Sequence, residues 1–267
     1  MLFTMQSIPS KGSIKRSFSR ASTTYDLYSR IQEDVNLQLL NLVPEGHFHE
    51  VLEIGCGTGS FTKALATKRK VERIVGVDLS YDMLLVARDG MQNHHTSFYP
   101  VCCDGERLAL NPGSRFDLVV SASCMHWFQD LGRSLSYLIN SHLAPDGCII
   151  CALFGKNTLN ELEKVINLLT GHAIQMAPST FPTKDEVASI LKGRRFSQIF
   201  LESVMISREY RSLMELLMSL KKTGTAPSAG SSRVFYTPRT IKKAERLYKK
   251  LYGSIRATFQ VIFFLAR

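Results

Sequence analysis

Glycines 55, 57 and 59, set within Glu53-Ile-Gly-Cys-Gly-Thr-Gly59, constrain this chain more than any other stretch of it. They follow Val51-Leu-Glu-Ile54, an apolar run of strand length, and precede Ser60–Thr67, which reads as a helix. A glycine-rich turn between a buried strand and a helix lets the backbone approach a ligand closely and take positive φ without a Cβ clash. The dinucleotide fingerprint G-x-G-x-x-G would place its last glycine at position 60, where this chain has Ser. Glu53, two residues before the first glycine, adds a carboxylate that can meet a ligand ammonium, a group that dinucleotides lack.

The pattern around the turn extends it into a fold. Residues 14–43 are expected to be helical, with Ile31, Val35, Leu39, Leu40 and Val43 near a 3.6-residue period, and Pro44-Glu-Gly46 ends them. Strands are then expected at 51–54, 73–77, 97–103, 116–121 and 148–153, with a turn at Asp146-Gly147 and helices at 60–67, 81–88 and 133–140. That alternation implies βαβ crossovers and a parallel sheet. After residue 155 the rhythm changes. A helix over Leu159–Leu169 ends at Gly171, and Thr183 with Glu186 caps a second. A sixth strand follows at 199–206, then helices at 210–222 and 238–251 about a loop at 223–232, and a closing strand at 258–265. The expected fold is α/β and Rossmann-like, with a mostly parallel seven-stranded sheet, N-terminal helices and a helical insertion as lid. Its division is 1–44 helical cover, 45–155 cofactor-binding core, 156–256 insertion including the sixth strand, and 257–267 closing strand.

Composition narrows the partners. Of 267 residues, 33 are basic and 23 acidic, a net charge of +10 that favours acidic partners. No apolar run reaches the roughly 20 residues of a spanning helix, and no apolar signal stretch opens the chain, so no membrane association is expected. Ser10–Thr24 carries Ser and basic residues and no acidic one, a composition shared with organellar transit peptides. Cys148-Ile-Ile-Cys151 has the spacing of a redox or zinc pair, but a strand points those two sulfurs to opposite faces. No second pair completes a metal site, so none is expected, and the six cysteines read as reduced thiols of a cytoplasmic protein.

Candidate cofactor contacts follow the strand ends. Asp78 closes the second strand, about 20–25 positions past the turn, where a carboxylate binds ribose hydroxyls; the competing role is an N-cap, which Ser80 fills equally well. Asp104 can accept from an adenine amino group. Leu79 and Gly105 flank these carboxylates, Ser121 is expected to face the crevice, and Met83 is a candidate wall that core packing explains equally well.

The ordered set Val-Leu-Glu-Ile-Gly-Cys-Gly-Thr-Gly, Val-Gly-Val-Asp-Leu-Ser, Cys-Asp-Gly-Glu and Phe-Asp-Leu-Val-Val-Ser resembles class I methyltransferases. A narrower likeness lies in Ile14-Lys-Arg-Ser-Phe-Ser-Arg-Ala21, Tyr25-Asp26 and Ile31-Gln32, Met125-His-Trp127, Thr158-Leu-Asn-Glu-Leu162 and Ser219-Leu-Lys-Lys-Thr-Gly224. These segments resemble malonyl-acyl-carrier-protein O-methyltransferases, which methylate the free malonyl carboxylate to start biotin synthesis. The resemblance implies S-adenosylmethionine as cofactor and a malonyl thioester on an acyl carrier protein, or on coenzyme A, as substrate.

It also implies roles for particular residues. Tyr25 is the expected catalytic residue, closing over the site and hydrogen-bonding the carboxylate; packing on the cofactor is the alternative. Gln32, His126 and Trp127 are expected to line the acceptor pocket. The family often has Asp at Glu53, and an Arg before the Leu-x-Pro-x-Gly turn that is missing from Leu138-Ile-Asn-Ser-His-Leu143. Lys221, Lys222 and Arg233 are the candidate replacements for holding the carboxylate. Lys15, Arg16, Arg20, Lys242 and Lys243 could join Lys221 and Lys222 in docking an acidic carrier protein. A monomer is expected. The alternatives are methylation of another small carboxylate or of RNA, and a non-catalytic binding protein. No aromatic-interleaved basic motif supports nucleic acid, and the intact glycine turn argues against a dead site.

Overall fold

The computed structural model describes residues 9–194, 196–225 and 237–267. Among them seven strands form one sheet: β1 (His47–Ile54), β2 (Lys70–Asp78), β3 (Ser97–Cys102), β4 (Phe116–Ala122), β5 (Leu143–Phe154), β6 (Ile199–Tyr210) and β7 (Ile255–Ala266). Their order is β3-β2-β1-β4-β5-β7-β6. β1 pairs in parallel with β2 and β4, and β7 runs antiparallel to both β5 and β6. The middle of the sheet reads as continuous apolar runs because helices cover both faces. Leu52 and Ile54, Val119 and Val120, and Ile149 through Leu153 are all fully buried. Alternation divides these side chains between two cores, with Val51, Leu118 and Ile150 in one and Leu52, Val119 and Ile149 in the other. Cys148 and Cys151 fall in different cores, on opposite faces as their spacing requires.

The strand order reverses between β1 and β4. From β1 the chain moves outward through β2 and β3; from β4 it moves the other way through β5. A crevice therefore opens beyond the carboxyl ends of these two neighbours.

The single helix expected at 14–43 is three: α1 (Lys11–Ala21), α2 (Tyr25–Tyr28) and α3 (Arg30–Leu42). Hydroxyl side chains break it, by competing for backbone groups that a helix would use. Thr24 Oγ1 donates to the carbonyls of Ala21 (3.2 Å) and Lys222 (3.0 Å), and Ser29, with ψ 31°, ends α2. α3 buries Ile31, Gln32, Val35, Leu39 and Leu40. An Asp34–Arg208 ion pair ties it to β6.

Between the strands run α4 (Ser60–Lys68), α5 (Tyr81–Met91) and α6 (Leu131–His142). The later region holds α7 (Asn160–Thr170), α8 (Lys184–Lys192), α9 (Leu213–Lys222) and α10 (Pro238–Tyr252). The Thr183–Glu186 capping box of α8 is formed. Several boundaries moved, three of them for reasons visible in the pairing and burial. β1 begins at His47, four residues early, because its first half alternates exposed His47 and His49 with buried Phe48 instead of showing an apolar run. β5 continues through Asp146-Gly147, where a register shift between Phe116 and Leu118 absorbs the expected turn. β6 pairs with β7 as far as Tyr210, so the next helix starts at Leu213. No helix of the described residues is long and apolar enough to cross a membrane.

Leu39 is fully buried where α3 meets the sheet. Leu39→Ala is expected to lower the unfolding free energy by about 2–5 kcal/mol in denaturant titrations; a loss below about 1 kcal/mol would mean that α3 is not docked as described.

Candidate active site at the sheet reversal

The turn between β1 and α4 is held by its own backbone. The N–H groups of Gly55 (2.7 Å) and Cys56 (3.0 Å) donate to the carbonyl of Val77, binding the turn to the end of β2. Gly55 has φ 73°, and a Cβ there would lie 2.2 Å from the sulfur of Cys124, so the turn presses against the loop after β4. Gly57, φ 54°, differs: a Cβ added to it would meet nothing within 4 Å. It borders a cavity of about 730 Å³, open mouth included, whose wall also carries Asp78, Leu79, Met83, Asp104 and Gly105. That space is of small-ligand size.

Burial sets the electrostatics. Glu53 is 1% exposed; its Oε2 accepts from Thr62 Oγ1 at 2.6 Å, and no cation pairs with it among the described residues. Burial pushes its carboxyl up to about 8, against the Thr62 hydrogen bond. A buried carboxylate with one donor and no counter-charge is a place for a ligand cation. Asp78 is oriented by the N–H groups of Gly57 (3.0 Å) and Ser80 (2.7 Å), while burial raises it to about 6. Ser80, whose hydroxyl accepts from Met83 N, is the N-cap of α5, so the Asp78 carboxylate is not occupied as a cap. Asp104 Oδ1 accepts from Glu106 N and Lys11 Nζ, each at 3.1 Å.

The roof comes from the N-terminal helices. Lys11, Ile14, Lys15 and Phe18 of α1 and Tyr25 of α2 line the same cavity. Asp26 accepts from Thr58 Oγ1 at 2.6 Å, fastening α2 to the glycine turn. Burial, then Asp26 and Asp78, raise the Tyr25 hydroxyl, so it stays protonated and can donate. A second cavity of about 640 Å³ lies behind Trp127, with Gln32, His126, Phe154 and Phe181 among its walls. A third contains Glu53, Tyr25 and Gln32. Trp127 borders the first and second, Tyr25 the first and third, and Gln32 the second and third, so these residues sit where the spaces meet. Buried Gln32 Oε1 and Trp127 Nε1 have no hydrogen-bond partner among the described residues. Burial drops His126 to about 3; it is neutral, and its Nδ1 lies 3.4 Å from Phe154 N.

Ser121 and the lysine pair are placed away from their expected positions. Ser121 is fully buried and donates to the Ile54 carbonyl at 2.9 Å, joining β4 to β1 instead of facing the crevice. Its hydroxyl points between paired strands and braces the turn from below. Lys221 and Lys222, at the end of α9, line none of the three cavities, and Arg233 lies outside the described residues. Among the described residues, no lysine or arginine borders the second cavity. Its charge-holding cation, expected from sequence, is not found among the described residues.

Three residues escaped the sequence reading. Lys11 pairs with Asp104 and Glu106 and lies 4.8 Å above the Phe128 ring. Phe18 packs edge-on against Trp127, with ring centroids 6.3 Å apart, and joins the roof to the wall between cavities. Ser123, with φ 56°, holds a conformation disfavoured for a side chain other than glycine and borders two cavities. The amphipathic pattern of 11–21 could have pointed to the first two, and Phe18 also lies within the family-like segment 14–21. The thiol of Cys124, pushed up to about 12 by burial, is a packing group and not a nucleophile.

Residues 51–147 match a family model described as a methyltransferase domain. A malonyl-acyl-carrier-protein O-methyltransferase of Acetivibrio thermocellus is 30% identical over 273 residues, covering 95% of this chain and 93% of that protein. A Danio rerio protein named a mitochondrial arginine hydroxylase is 29% identical, covering 89% of this chain and 75% of its own length. A solved putative methyltransferase of Bacillus halodurans superposes with a TM-score of 0.59 at 16% identity, covering 87% of this chain and 97% of that one, and has the same fold.

The raised Glu53 carboxyl has a consequence for stability. The folded state keeps its proton up to about 8, whereas an unfolded glutamate loses it near 4.5. The native state therefore binds more protons in that window, and stability falls as pH rises through it. Glu53→Gln is expected to flatten that slope and to make the ligand-free protein more stable than the parent at pH 8, by about 1–3 kcal/mol. Denaturant titrations at pH 5 and pH 8 measure both; parallel slopes would show that Glu53 is ionised in the fold.

Proposed function

The chain belongs to the malonyl-acyl-carrier-protein O-methyltransferase family, and from that premise we propose that it moves a methyl group from S-adenosylmethionine to the free carboxylate of a malonyl thioester on an acyl carrier protein, giving the methyl ester that starts biotin synthesis. The observation that carries this reading is the reach of the family match. It runs beyond the cofactor-binding core into the N-terminal and inserted helices. Those segments supply the roof and the second cavity, where the acceptor must lie.

The residues fit S-adenosylmethionine. Glu53 offers a buried carboxylate for the methionine ammonium, Gly57 leaves the space a side chain would fill, and Asp78 faces the ribose hydroxyls with both oxygens oriented by backbone N–H groups. Asp104, with Oδ2 taking no donor from the described residues, is assigned to the adenine amino group, between Leu79 and Gly105. When bound, the cofactor supplies a methyl group activated by its own sulfonium charge.

The protein's task is then alignment and exclusion of water. A malonyl carboxylate is already ionised near neutral pH, so no base is required, and neutral His126 serves as a wall. Tyr25, kept protonated, donates to the carboxylate from the junction of the cavities. Trp127 Nε1, an unpartnered donor at the same junction, can orient the carboxylate, whereas the unpartnered Gln32 Oε1 accepts and faces donor groups only. Neutral donors suffice if the sulfonium itself is the counter-charge. They bind a carboxylate without competing with the methyl donor for it.

A carrier-protein partner is supported by α10. Its cations Arg239, Lys242, Lys243, Arg246, Lys249 and Lys250 are all exposed and recur every three or four residues, while Ile241, Ala244 and Tyr248 are buried beneath them. Acyl carrier proteins are strongly acidic, and such a stripe steers an acidic partner. The six free thiols accord with a reducing cytoplasm, and we take the enzyme to act there as a monomer.

Labelled methyl groups are expected to enter malonyl-carrier protein and not the acetyl form, and Tyr25→Phe is expected to slow turnover about tenfold, the worth of roughly one hydrogen bond. Cofactor binding without transfer to any malonyl thioester would overturn the acceptor assignment and leave the methyl-donor site standing. Replacing Lys242, Lys243 and Arg246 by Glu is expected to raise KM for malonyl-carrier protein at least about tenfold with kcat and the KM for malonyl-coenzyme A unchanged. Equal shifts for both substrates would remove α10 from docking.

A further inference from the structure

A cluster at the opposite edge of the sheet takes no part in this chemistry. His47 and His49 are two residues apart on β1 and so project from one face, while Phe48 between them is buried on the other. β2 lies beside them in parallel, its Val71 paired with Phe48, which brings Glu72 alongside. Glu72 Oε1 sits 3.0 Å from His47 Nε2 and 3.0 Å from His49 Nδ1. The two imidazoles approach to 4.3 Å between ring centroids, and the three ligand atoms all lie within 4.8 Å of one another.

We propose that His47, His49 and Glu72 form a binding site for a borderline divalent transition-metal ion, zinc foremost. Two imidazole nitrogens and one carboxylate oxygen are a common three-ligand zinc set, with a fourth position left to water. A tetrahedral ion with bonds of about 2.0–2.1 Å has donor–donor edges near 3.3 Å. The two nitrogen–oxygen pairs need open by only a few tenths of an ångström from 3.0 Å, and the two nitrogens lie within 4.8 Å of each other. The site is partly open, with the His49 side chain 62% and the Glu72 side chain 47% exposed, so an ion can enter from solvent.

The backbone beneath is fixed independently. Asp117 Oδ2 accepts from the N–H groups of His49 (2.7 Å) and Glu50 (3.0 Å), and β1 and β2 are paired from His47↔Lys70 onward. Magnesium and calcium, which prefer all-oxygen shells, do not match two imidazoles. Bound here, zinc staples the start of β1 to the start of β2. Four to six residues of strand, about 13–20 Å, separate its two histidines from Glu53, so it acts on the fold and not on methyl transfer.

The test uses full-length, reduced protein without a polyhistidine tag. Titration calorimetry with zinc chloride is expected to find one site per chain, weakened at least about tenfold in His47→Ala/His49→Ala and in Glu72→Gln. Binding is expected to persist in Cys102→Ser/Cys103→Ser, which removes the more exposed thiols. Cobalt(II) added to the unmodified protein is expected to give the visible bands of a nitrogen–oxygen site without a thiolate charge-transfer band. Zinc binding that survives the histidine double substitution, a thiolate band, or equal competition by magnesium would each overturn the proposal.

Discussion

β1 is hydrogen-bonded on both sides, to β2 and to β4, and everything functional in this protein depends on that double pairing. With neighbours on both edges and cores on both faces, its register is fixed to within a residue. Glu53 is thereby held in the interior, where ionising it is costly, and the glycine turn is delivered to the point where the strand order reverses. The same rigidity operates at the other end of the strand, where it gathers His47 and His49 beside Glu72. One strand presents a buried carboxylate at its carboxyl end and an exposed histidine pair at its start.

The cavity system has two electrostatic characters. On the cofactor side lie the carboxyls of Glu53, Asp78 and Asp104, two of them raised by burial and so poised to ionise against positive or hydrogen-donating ligand groups. Behind Trp127 the described walls are uncharged, mixing aromatic side chains with the hydroxyls of Thr158, Ser219, Thr223 and Thr225 and with unpartnered polar atoms on Gln32 and Trp127. That contrast is suited to an acceptor whose own charge is part of the reaction. His126, Trp127 and Phe181, with ring centroids 4.5–5.1 Å apart, form one aromatic wall of this compartment.

The roof is less firmly built than the floor. α1 and α2 are tied down by a few side-chain bonds, among them Asp26 to Thr58, Ser19 to Ser80 at 2.8 Å, and Lys11 to Asp104 and Glu106. Several of these run to the glycine turn and to the carboxylates assigned to the cofactor. The segment closing the cavity is thus fastened to the groups a ligand would engage, whereas the sheet beneath does not depend on it.

The sequence alone was enough for the sheet and for the glycine turn and carboxyl groups that border its crevice. The alternation of buried strands and helices, the glycine turn and the carboxylates at 53, 78 and 104 follow from local periodicity and spacing, which the chain carries without reference to distant contacts. It was also enough to pick out Tyr25, Gln32 and Trp127, three residues that meet where the cavities join. Tertiary structure decided what depends on neighbours far along the chain. It turned Ser121 inward to Ile54, kept Lys221 and Lys222 away from the cavities, and broke one expected helix into three through Thr24 and its bond to Lys222. Lys11 above Asp104, 93 positions away, and Glu72 between two histidines more than 20 positions earlier have no local signal. Only strand pairing and helix docking bring such groups within 3 Å or so of each other, because periodicity records which face a side chain takes and not what it meets there.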